Sequence, residues 1–181
     1  SILVANVSYL SYGSRNQSSD VAAYLAARGE AALLVQEHRL PHGRLKVAFR
    51  KFGSHAITHS SARQTREGSQ LGYSGGTFVA IKTYHAQSDL NKLYPNSVSP
   101  LRPSGTDWSS RVVRLRGLDV LLVSVYLTVG IGMAGENLVK LRQIRQHVRA
   151  IKLPWIVAGD WSATVEESKA SGALAIMHGV I

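Results

Sequence analysis

Polar side chains that could do chemistry follow short apolar runs in this sequence. The best-marked run starts at Pro154 and stops at Gly159, which predicts a buried strand with Asp160 at its carboxyl end. Open α/β sheets collect their ligands at that end of their strands. The other groups at or just after apolar runs are Asn6, Gln36, Glu37 and Tyr126. In proteins, Mg²⁺ is usually coordinated by one or two carboxylates and keeps several of its water ligands.

Four buried strands that each deliver a polar group predict one shared rim. For any single residue the alternative is ordinary turn chemistry, because carboxylates and amides often cap strands. In chain order the motifs are Asn6, Gln36-Glu37, Val125-Tyr126-Leu127 and Gly159-Asp160-Trp161-Ser162. This series resembles the endonuclease/exonuclease/phosphatase superfamily, which has the DNase I-like fold. The pair Gly75-Gly76, before a predicted strand from Thr77 to Tyr84, adds to the resemblance.

The resemblance spans nearly the whole chain and implies an α/β fold. The expected architecture is a DNase I-like sandwich of mixed β-sheets flanked by helices. The family's closing Ser-Asp-His motif is absent from the 181 residues. We therefore expect one partial domain over residues 1–181, incomplete at its C-terminus, and this size suits a single domain with a sizeable core.

The resemblance also implies roles for five residues. Glu37 would hold Mg²⁺, or Mn²⁺, and Asn6 would orient the metal's surroundings or a phosphate oxygen. Asp160 would orient or deprotonate the attacking water, and Tyr126 would donate a hydrogen bond to the scissile phosphate. Ser162 stands where the family has asparagine, so a short hydroxyl replaces an amide that could reach the phosphate.

The function that this implies is a Mg²⁺-dependent phosphodiester hydrolase domain, nuclease-like, with impaired activity because it is a fragment. One alternative is a non-catalytic nucleic-acid-binding remnant of such a domain. Another is a domain similar to the lipid or inositol phosphate phosphatases, which the charge of the chain disfavours. The last alternative is an unrelated α/β domain whose strand ends imitate the motifs.

Charge points to nucleic acid as the partner. Lys and Arg number 21 against 11 Asp and Glu, which gives a formal net charge of +10. Such an excess attracts polyanions, although a basic protein can also be merely soluble. No apolar run reaches the roughly 20 residues of a membrane-spanning helix. The first residues do not have the pattern of a signal peptide, and the lack of cysteine is compatible with a reducing compartment, so we favour an intracellular location.

The first third of the chain predicts a strand-helix-strand unit followed by a second helix. The first helix is expected at 20–28, capped by Ser18 or Ser19, and the second at 43–52. Residues 54–75 predict a strand and then a loop. The pair His55 and His59 has the spacing of metal ligands on a helix face, but no third ligand lies nearby in sequence, which disfavours zinc.

The rest of the chain predicts a loop, a hairpin, a helix, a strand and a short helix. The loop is expected at 86–108 and the hairpin strands at 111–115 and 118–125. The helix at 135–151 has an apolar stripe and basic faces that include Lys140, and Thr164 with Glu167 forms a capping box for the last helix. The stripe comprises Leu138, Leu141, Ile144 and Val148, and the other basic residues are Arg142, Arg145 and Arg149.

Overall fold

The structure, a computed structural model, describes residues 1–10, 20–67, 70–86, 92–93 and 107–172. Nine strands lie in this part of the chain: β1 (Ile2–Asn6), β2 (Ala32–Gln36), β3 (His55–Ser60), β4 (Arg63–Glu67), β5 (Gln70–Ser74), β6 (Thr77–Lys82), β7 (Trp108–Leu115), β8 (Leu118–Tyr126) and β9 (Trp155–Asp160). Four α-helices accompany them: α1 (Val21–Ala26), α2 (His42–Phe49), α3 (Gly135–Ile151) and α4 (Val165–Ala170). A 3₁₀ turn, Arg50–Phe52, extends α2.

Two mixed sheets form the frame of the fold. The first has the order β1-β2-β6-β3, and its strands β1 and β2 are parallel, as the predicted strand-helix-strand unit requires. The second has the order β7-β8-β9, with β7 and β8 antiparallel and β8 and β9 parallel. The strands β4 and β5 form a separate hairpin. In both sheets, parallel neighbours bring their carboxyl ends to one edge.

The two sheets pack face to face through alternate residues of their strands. Leu34 of β2 and Val79 of β6 meet Leu122 of β8 in a buried layer between the sheets. The intervening residues point outward: those of β2 and β6 pack under α1 and α2, and those of β8 pack under α3. This side-chain period of two makes the sandwich with helices on both outer faces that was expected.

The layer between the sheets becomes polar toward the edge where β2 and β8 end. The side-chain amide Nε2 of Gln36 donates to Ser124 Oγ at 2.8 Å. Thr77 Oγ1 donates to Ser109 Oγ at 3.1 Å. All four residues are buried. Buried polar groups need such partners, so these bonds fix how the two sheets sit at this edge.

Local signals placed most helices correctly. The helix α3 begins and ends as predicted, and the capping box of α4 is confirmed, with Thr164 accepting from the Glu167 backbone and Glu167 accepting from the Thr164 backbone. The prediction that Ser18 or Ser19 caps α1 was wrong. Asp20 is the N-cap residue, and its Oδ1 accepts from the Ala23 backbone N–H at 2.9 Å. Ser18 and Ser19, and most of the predicted loop 86–108, lie outside the described residues.

The segment 54–75 differs from the sequence expectation of a strand and a loop. It contains β3 and the hairpin of β4 and β5. The hairpin is anchored by Arg63, whose guanidinium binds Glu136 at the start of α3 at 3.0 Å, a contact that local sequence does not reveal. His55 and His59 lie on β3, so the helical spacing of metal ligands does not apply to them.

Within the described ranges, no helix combines the length and the apolar character that crossing a bilayer requires.

Candidate active site

Four of the five predicted site residues lie at the carboxyl ends of strands or one residue beyond. Asn6 ends β1, and its register partner Gln36 ends β2. Glu37 is the next residue after Gln36. Tyr126 ends β8 and is the register partner of Asp160, which ends β9. Because β1 and β2 belong to one sheet and β8 and β9 to the other, the site spans the two sheets.

A hydrogen bond between the sheets joins two of these residues. The Asn6 Nδ2 amide donates to Asp160 Oδ2 at 2.7 Å, although 154 positions separate them in sequence. The Asn6 Oδ1 oxygen accepts from the Ser8 backbone N–H at 3.0 Å, which fixes the orientation of the amide. Asn6 therefore holds the Asp160 carboxylate in one direction at the rim.

The other carboxylate oxygen of Asp160 is bound within its own turn. Asp160 Oδ1 accepts from the Ser162 backbone N–H at 3.0 Å and from Ser162 Oγ at 3.1 Å. Ser162 Oγ also lies 3.0 Å from the Leu127 carbonyl oxygen. The Ser162 hydroxyl is thus engaged by Asp160 and by the Leu127 carbonyl. Ser162 therefore holds the Asp160 carboxylate in place. Its side chain is shorter than that of asparagine and carries no amide group.

Glu37 is nearly buried and is paired with its neighbour Arg39. The guanidinium Nε of Arg39 donates to Glu37 Oε1 at 3.1 Å, and its terminal nitrogen contacts the same oxygen. The Glu37 side chain is 11% exposed and that of Arg39 is 45% exposed. One oxygen of Glu37 is therefore neutralised by a cation that can turn toward solvent.

Tyr126 is a buried phenol at the centre of the rim. Burial raises the pKa of Tyr126, and the negative charge of Glu37 raises it further. A hydrogen bond with the Ser74 side chain opposes this rise in part, and Asp160 adds a smaller rise. Burial and negative charge both disfavour the phenolate. Tyr126 therefore remains protonated at neutral pH and can donate a hydrogen bond to an anion.

Backbone strain is concentrated around this rim. Seven non-glycine residues in the described part of the chain have positive φ, and Arg116 and Lys152 are ordinary turn and helix-end positions. The other five follow or precede the strands that meet at the rim: Ser8, Glu37, Arg39, Asp107 and Ser162. A left-handed conformation costs a residue with a side chain about 1–2 kcal/mol, and such strain often accompanies functional sites.

A buried ion pair behind Tyr126 was missed by the sequence analysis. Lys140 of α3, predicted to be exposed, is buried and places Nζ 2.9 Å from Asp107 Oδ2. Asp107 also accepts from the Gly76 backbone N–H at 3.0 Å, and its carbonyl accepts from the Tyr126 backbone N–H at 2.8 Å. The signal available in sequence was that Asn137 and Lys140 fall on the apolar stripe of α3.

Glu136, at the start of α3, extends this network toward the hairpin. Hydrogen bonds from Arg63 and then from Thr128 lower the pKa of Glu136 to about 2. Arg63 binds both Glu136 and, at 2.8 Å, Thr128 Oγ1, and Lys140 Nζ lies 3.0 Å from the same hydroxyl. The hairpin, the end of β8 and α3 are therefore connected by charged side chains beside the rim.

His38 is close to Glu37 in sequence but is unsuited to acid catalysis. Its Nε2 donates to the Ser60 carbonyl at 3.0 Å, and its Nδ1 accepts from the Leu40 backbone N–H at 3.0 Å. This is the neutral tautomer with both nitrogens occupied. Burial lowers the pKa of His38 to about 4. A Cβ added to Gly76 would lie 2.4 Å from His38 Cε1, so glycine leaves room for this ring.

We expect His38 to make the fold sensitive to mild acid. Its pKa is about 4 in the folded state and about 6.5 in the unfolded chain, so the unfolded state takes up the proton first as the pH falls. Stability should drop by ~3 kcal/mol between pH 6.5 and pH 4 from this residue. Urea unfolding across that range, for the wild type and for His38→Gln, measures the effect.

The difference between the two unfolding curves isolates His38. Burial also lowers the pKa values of His55 and His59, so these residues also reduce stability as the pH falls. Both are present in the wild type and in the variant, so their contributions cancel in the difference. The variant should be less stable at pH 8 and should lose less stability on acidification. Parallel curves for the two proteins would contradict this prediction.

Several solved structures resemble this chain in three dimensions. An AP endonuclease, LMAP, from Leishmania major matches with a TM-score of 0.62 at 11% identity, over 99% of this chain and 66% of that one. An endonuclease/exonuclease/phosphatase family protein from Leptotrichia buccalis matches with 0.57 at 14%, over 98% and 72%. A humanized TDP2 of D. rerio matches with 0.55 at 19%, over 94% and 69%.

The chain has the DNase I-like fold that these solved structures share. The expected fold is thereby confirmed, and at these identities the likeness is one of fold. No protein-family model matches the sequence, and no curated protein matches it in sequence. The chain spans between 66% and 72% of the lengths of the three structures named above.

Oxygen atoms make up the possible metal donors at the rim of this DNase I-like sandwich. Asp160 and Asn6 bind each other, and Glu37 has one oxygen held by Arg39. No group of three His, Asp or Glu side chains that could hold a metal occurs among the described residues. Mg²⁺ needs only one or two carboxylates and otherwise keeps its waters, so this donor set fits Mg²⁺ and does not fit a closed zinc site.

Proposed function

We propose that this chain is a Mg²⁺-dependent, nuclease-like phosphodiester hydrolase domain whose activity is low when it is assayed alone. The observation that carries the proposal is the hydrogen bond by which Asn6 orients Asp160 across the two sheets, beside Tyr126 and Glu37. The DNase I-like fold supports it, since an AP endonuclease shares that fold. The net charge of +10 supports nucleic acid as the substrate.

In this proposal each rim residue has a separate task. Asp160, held by Asn6, orients and deprotonates the attacking water. Tyr126 stays protonated and donates to a phosphate oxygen, which stabilises the charge that develops there. Glu37 would hold Mg²⁺, or Mn²⁺, and Arg39 would have to release one carboxylate oxygen. The ion would supply charge compensation at the phosphoryl oxygens.

Low activity follows from two contacts. Ser162 uses its hydroxyl within the Asp160 turn, so it offers no donor to the phosphate. Arg39 occupies a carboxylate oxygen of Glu37. The same contacts favour the second candidate, a non-catalytic nucleic-acid-binding domain, in which the rim binds a phosphate backbone without cleaving it.

A plasmid-nicking assay tests the proposal. With Mg²⁺ the chain should nick supercoiled DNA slowly, chelation should stop it, and Asp160→Asn should reduce the rate to background. The variant Ser162→Asn should raise the rate, by up to ~10²-fold, because it restores a donor amide near the phosphate. Asparagine also tolerates the left-handed backbone at this position, where φ is 47°.

The control for Asp160→Asn is Asp119→Asn, which makes the same change at the other end of β8, where Asp119 pairs with Arg114. It should leave nicking unchanged. If neither the wild type nor Ser162→Asn nicks DNA with Mg²⁺ or Mn²⁺, while binding weakens steeply with added salt, the hydrolase proposal is wrong and the binding domain is favoured.

A further inference from the structure

A pocket beside the rim combines aromatic and cationic side chains. Its volume is about 470 Å³, and it is lined by Tyr9, Arg39, Arg44, Gly72 and Tyr73. Tyr9 follows β1, Arg39 follows β2, Arg44 lies in the first turn of α2, and Gly72 and Tyr73 belong to β5. Three separate chain segments therefore contribute to it, and its volume is in the range of small-molecule sites.

Backbone hydrogen bonds hold these segments together. The Leu10 N–H donates to the His38 carbonyl at 3.0 Å, and the Arg39 N–H donates to the Gly75 carbonyl at 3.1 Å. The first bond ties the segment after β1 to the segment after β2. The second ties the segment after β2 to the end of the hairpin. The walls of the pocket are thus fixed relative to the rim.

The side chains in the pocket suit a ligand with a flat ring and an anionic group. Among the described residues, the lining contains two phenol rings and two guanidinium groups and no carboxylate. Tyr9 is 47% exposed, and neither tyrosine packs on another aromatic ring in the part of the chain that the structure describes. Arg44 forms no ion pair with a carboxylate in that same part. Tyrosine faces stack on bases, and arginine binds phosphate.

Arg39 connects the pocket to the rim, because it lines the pocket and also binds Glu37. A phosphate bound in the pocket lies next to the group that would hold the metal in the proposed hydrolase. A base can stack on these rings only if it has left a duplex, since paired bases are already stacked on their neighbours.

We propose that this pocket binds one unpaired nucleotide of a single-stranded nucleic acid, with its base against Tyr9 and Tyr73 and its phosphate against Arg44 and Arg39. The inference deepens the proposed function, on which it rests for the class of substrate. It places the unpaired nucleotide adjacent to Glu37, so the scissile phosphate would be near a single-stranded position.

Fluorescence anisotropy without divalent metal tests the proposal separately from catalysis. The probes are a labelled 12-residue oligothymidylate and a duplex of the same length, with thymidine monophosphate as a competitor. Tyr73→Leu should weaken binding of the single strand about tenfold, since stacking on an aromatic ring contributes that much or more per base. Arg44→Gln should weaken binding of the single strand. It should also reduce the slope of log K against log salt concentration by about one, the value for one phosphate contact.

Matched controls lie at the other end of the sandwich. Tyr84→Leu alters an exposed tyrosine beyond β6, and Arg116→Gln removes an exposed charge from the turn between β7 and β8. Neither should affect single-strand binding selectively. Thermal unfolding verifies that each variant is folded. If Tyr73→Leu fails to fold, Arg44→Gln on the exposed side of α2, compared with Arg116→Gln, decides the question.

The inference would be overturned if the pocket and control variants lost the same amount of affinity for the single strand. It would also be overturned if the wild type bound duplex and single strand with equal affinity. Competition by the monophosphate at concentrations similar to those of the oligomer would assign the pocket to free nucleotides and also overturn it. The outcome is independent of nicking. Selective loss of binding in a chain that never nicks DNA would retain the pocket and reject the hydrolase.

Discussion

Lys140→Met is expected to lower the free energy of unfolding by ~3–5 kcal/mol, the loss that follows when one partner of a buried ion pair is removed. Asp107 has no solvent exposure, and Lys140 supplies its counter-charge at 2.9 Å. Methionine is similar to lysine in length and fills the space, so the effect reports the lost ammonium group and not a cavity. The unpaired Asp107 carboxylate is its main part, and the contact with Thr128 Oγ1 is lost as well. Urea denaturation at neutral pH measures it.

A double-mutant cycle separates the pair from its surroundings. Asp107→Asn keeps an oxygen that can accept from the Gly76 N–H, and the double variant with Lys140→Met leaves no buried charge at Asp107. The double variant should therefore be more stable than Lys140→Met alone. As a control, Glu30→Gln breaks the partly exposed ion pair of Arg28 and Glu30 and should change stability much less than Lys140→Met. A double variant as unstable as the sum of the single variants would show that the pair is not coupled.

Gly159→Ala should destabilise the protein by ~3 kcal/mol, at the upper end of what overpacking usually costs. A Cβ at this position would lie 1.8 Å from the Val125 carbonyl oxygen and 2.9 Å from the Val125 nitrogen. Both atoms belong to the backbone of β8, so only a shift of β9 away from β8 can make room. Because Asp160 is the next residue, the same shift should also weaken its contact with Asn6.

Gly43→Ala is the matched control for this prediction. Gly43 lies in α2 and has no atom within 4 Å of an added Cβ, and neither glycine has a positive φ. Alanine limits the unfolded chain equally at both sites, so Gly43→Ala should raise the unfolding free energy by up to ~1 kcal/mol. Thermal and urea unfolding compare the two variants. If Gly159→Ala is also stabilising, the close approach of β8 and β9 is not tight.

Local sequence patterns predicted the strands other than β4 and β5, the helix α3 and the capping box of α4, because each depends on residues a few positions apart. The unbroken apolar runs of β2 and β8 indicated strands buried on both faces, and the stripe of α3 indicated which face of that helix is buried. The order of Asn6, Glu37, Tyr126 and Asp160 indicated the fold family because each ends or follows a strand. The hairpin in 54–75 was not predicted, since Arg63 binds Glu136 from 73 positions away.

The sequence by itself therefore determined the fold class, the main elements and the residue types that stand at strand ends. Tertiary structure alone decided that Asn6 binds Asp160 and that Lys140 is buried against Asp107. Each of these depends on which strands and helices become neighbours, and a side chain's partner and desolvation are set by that packing. A lysine on a helix has the same local propensity whether it meets water or an aspartate, so only the packed sandwich distinguishes the two.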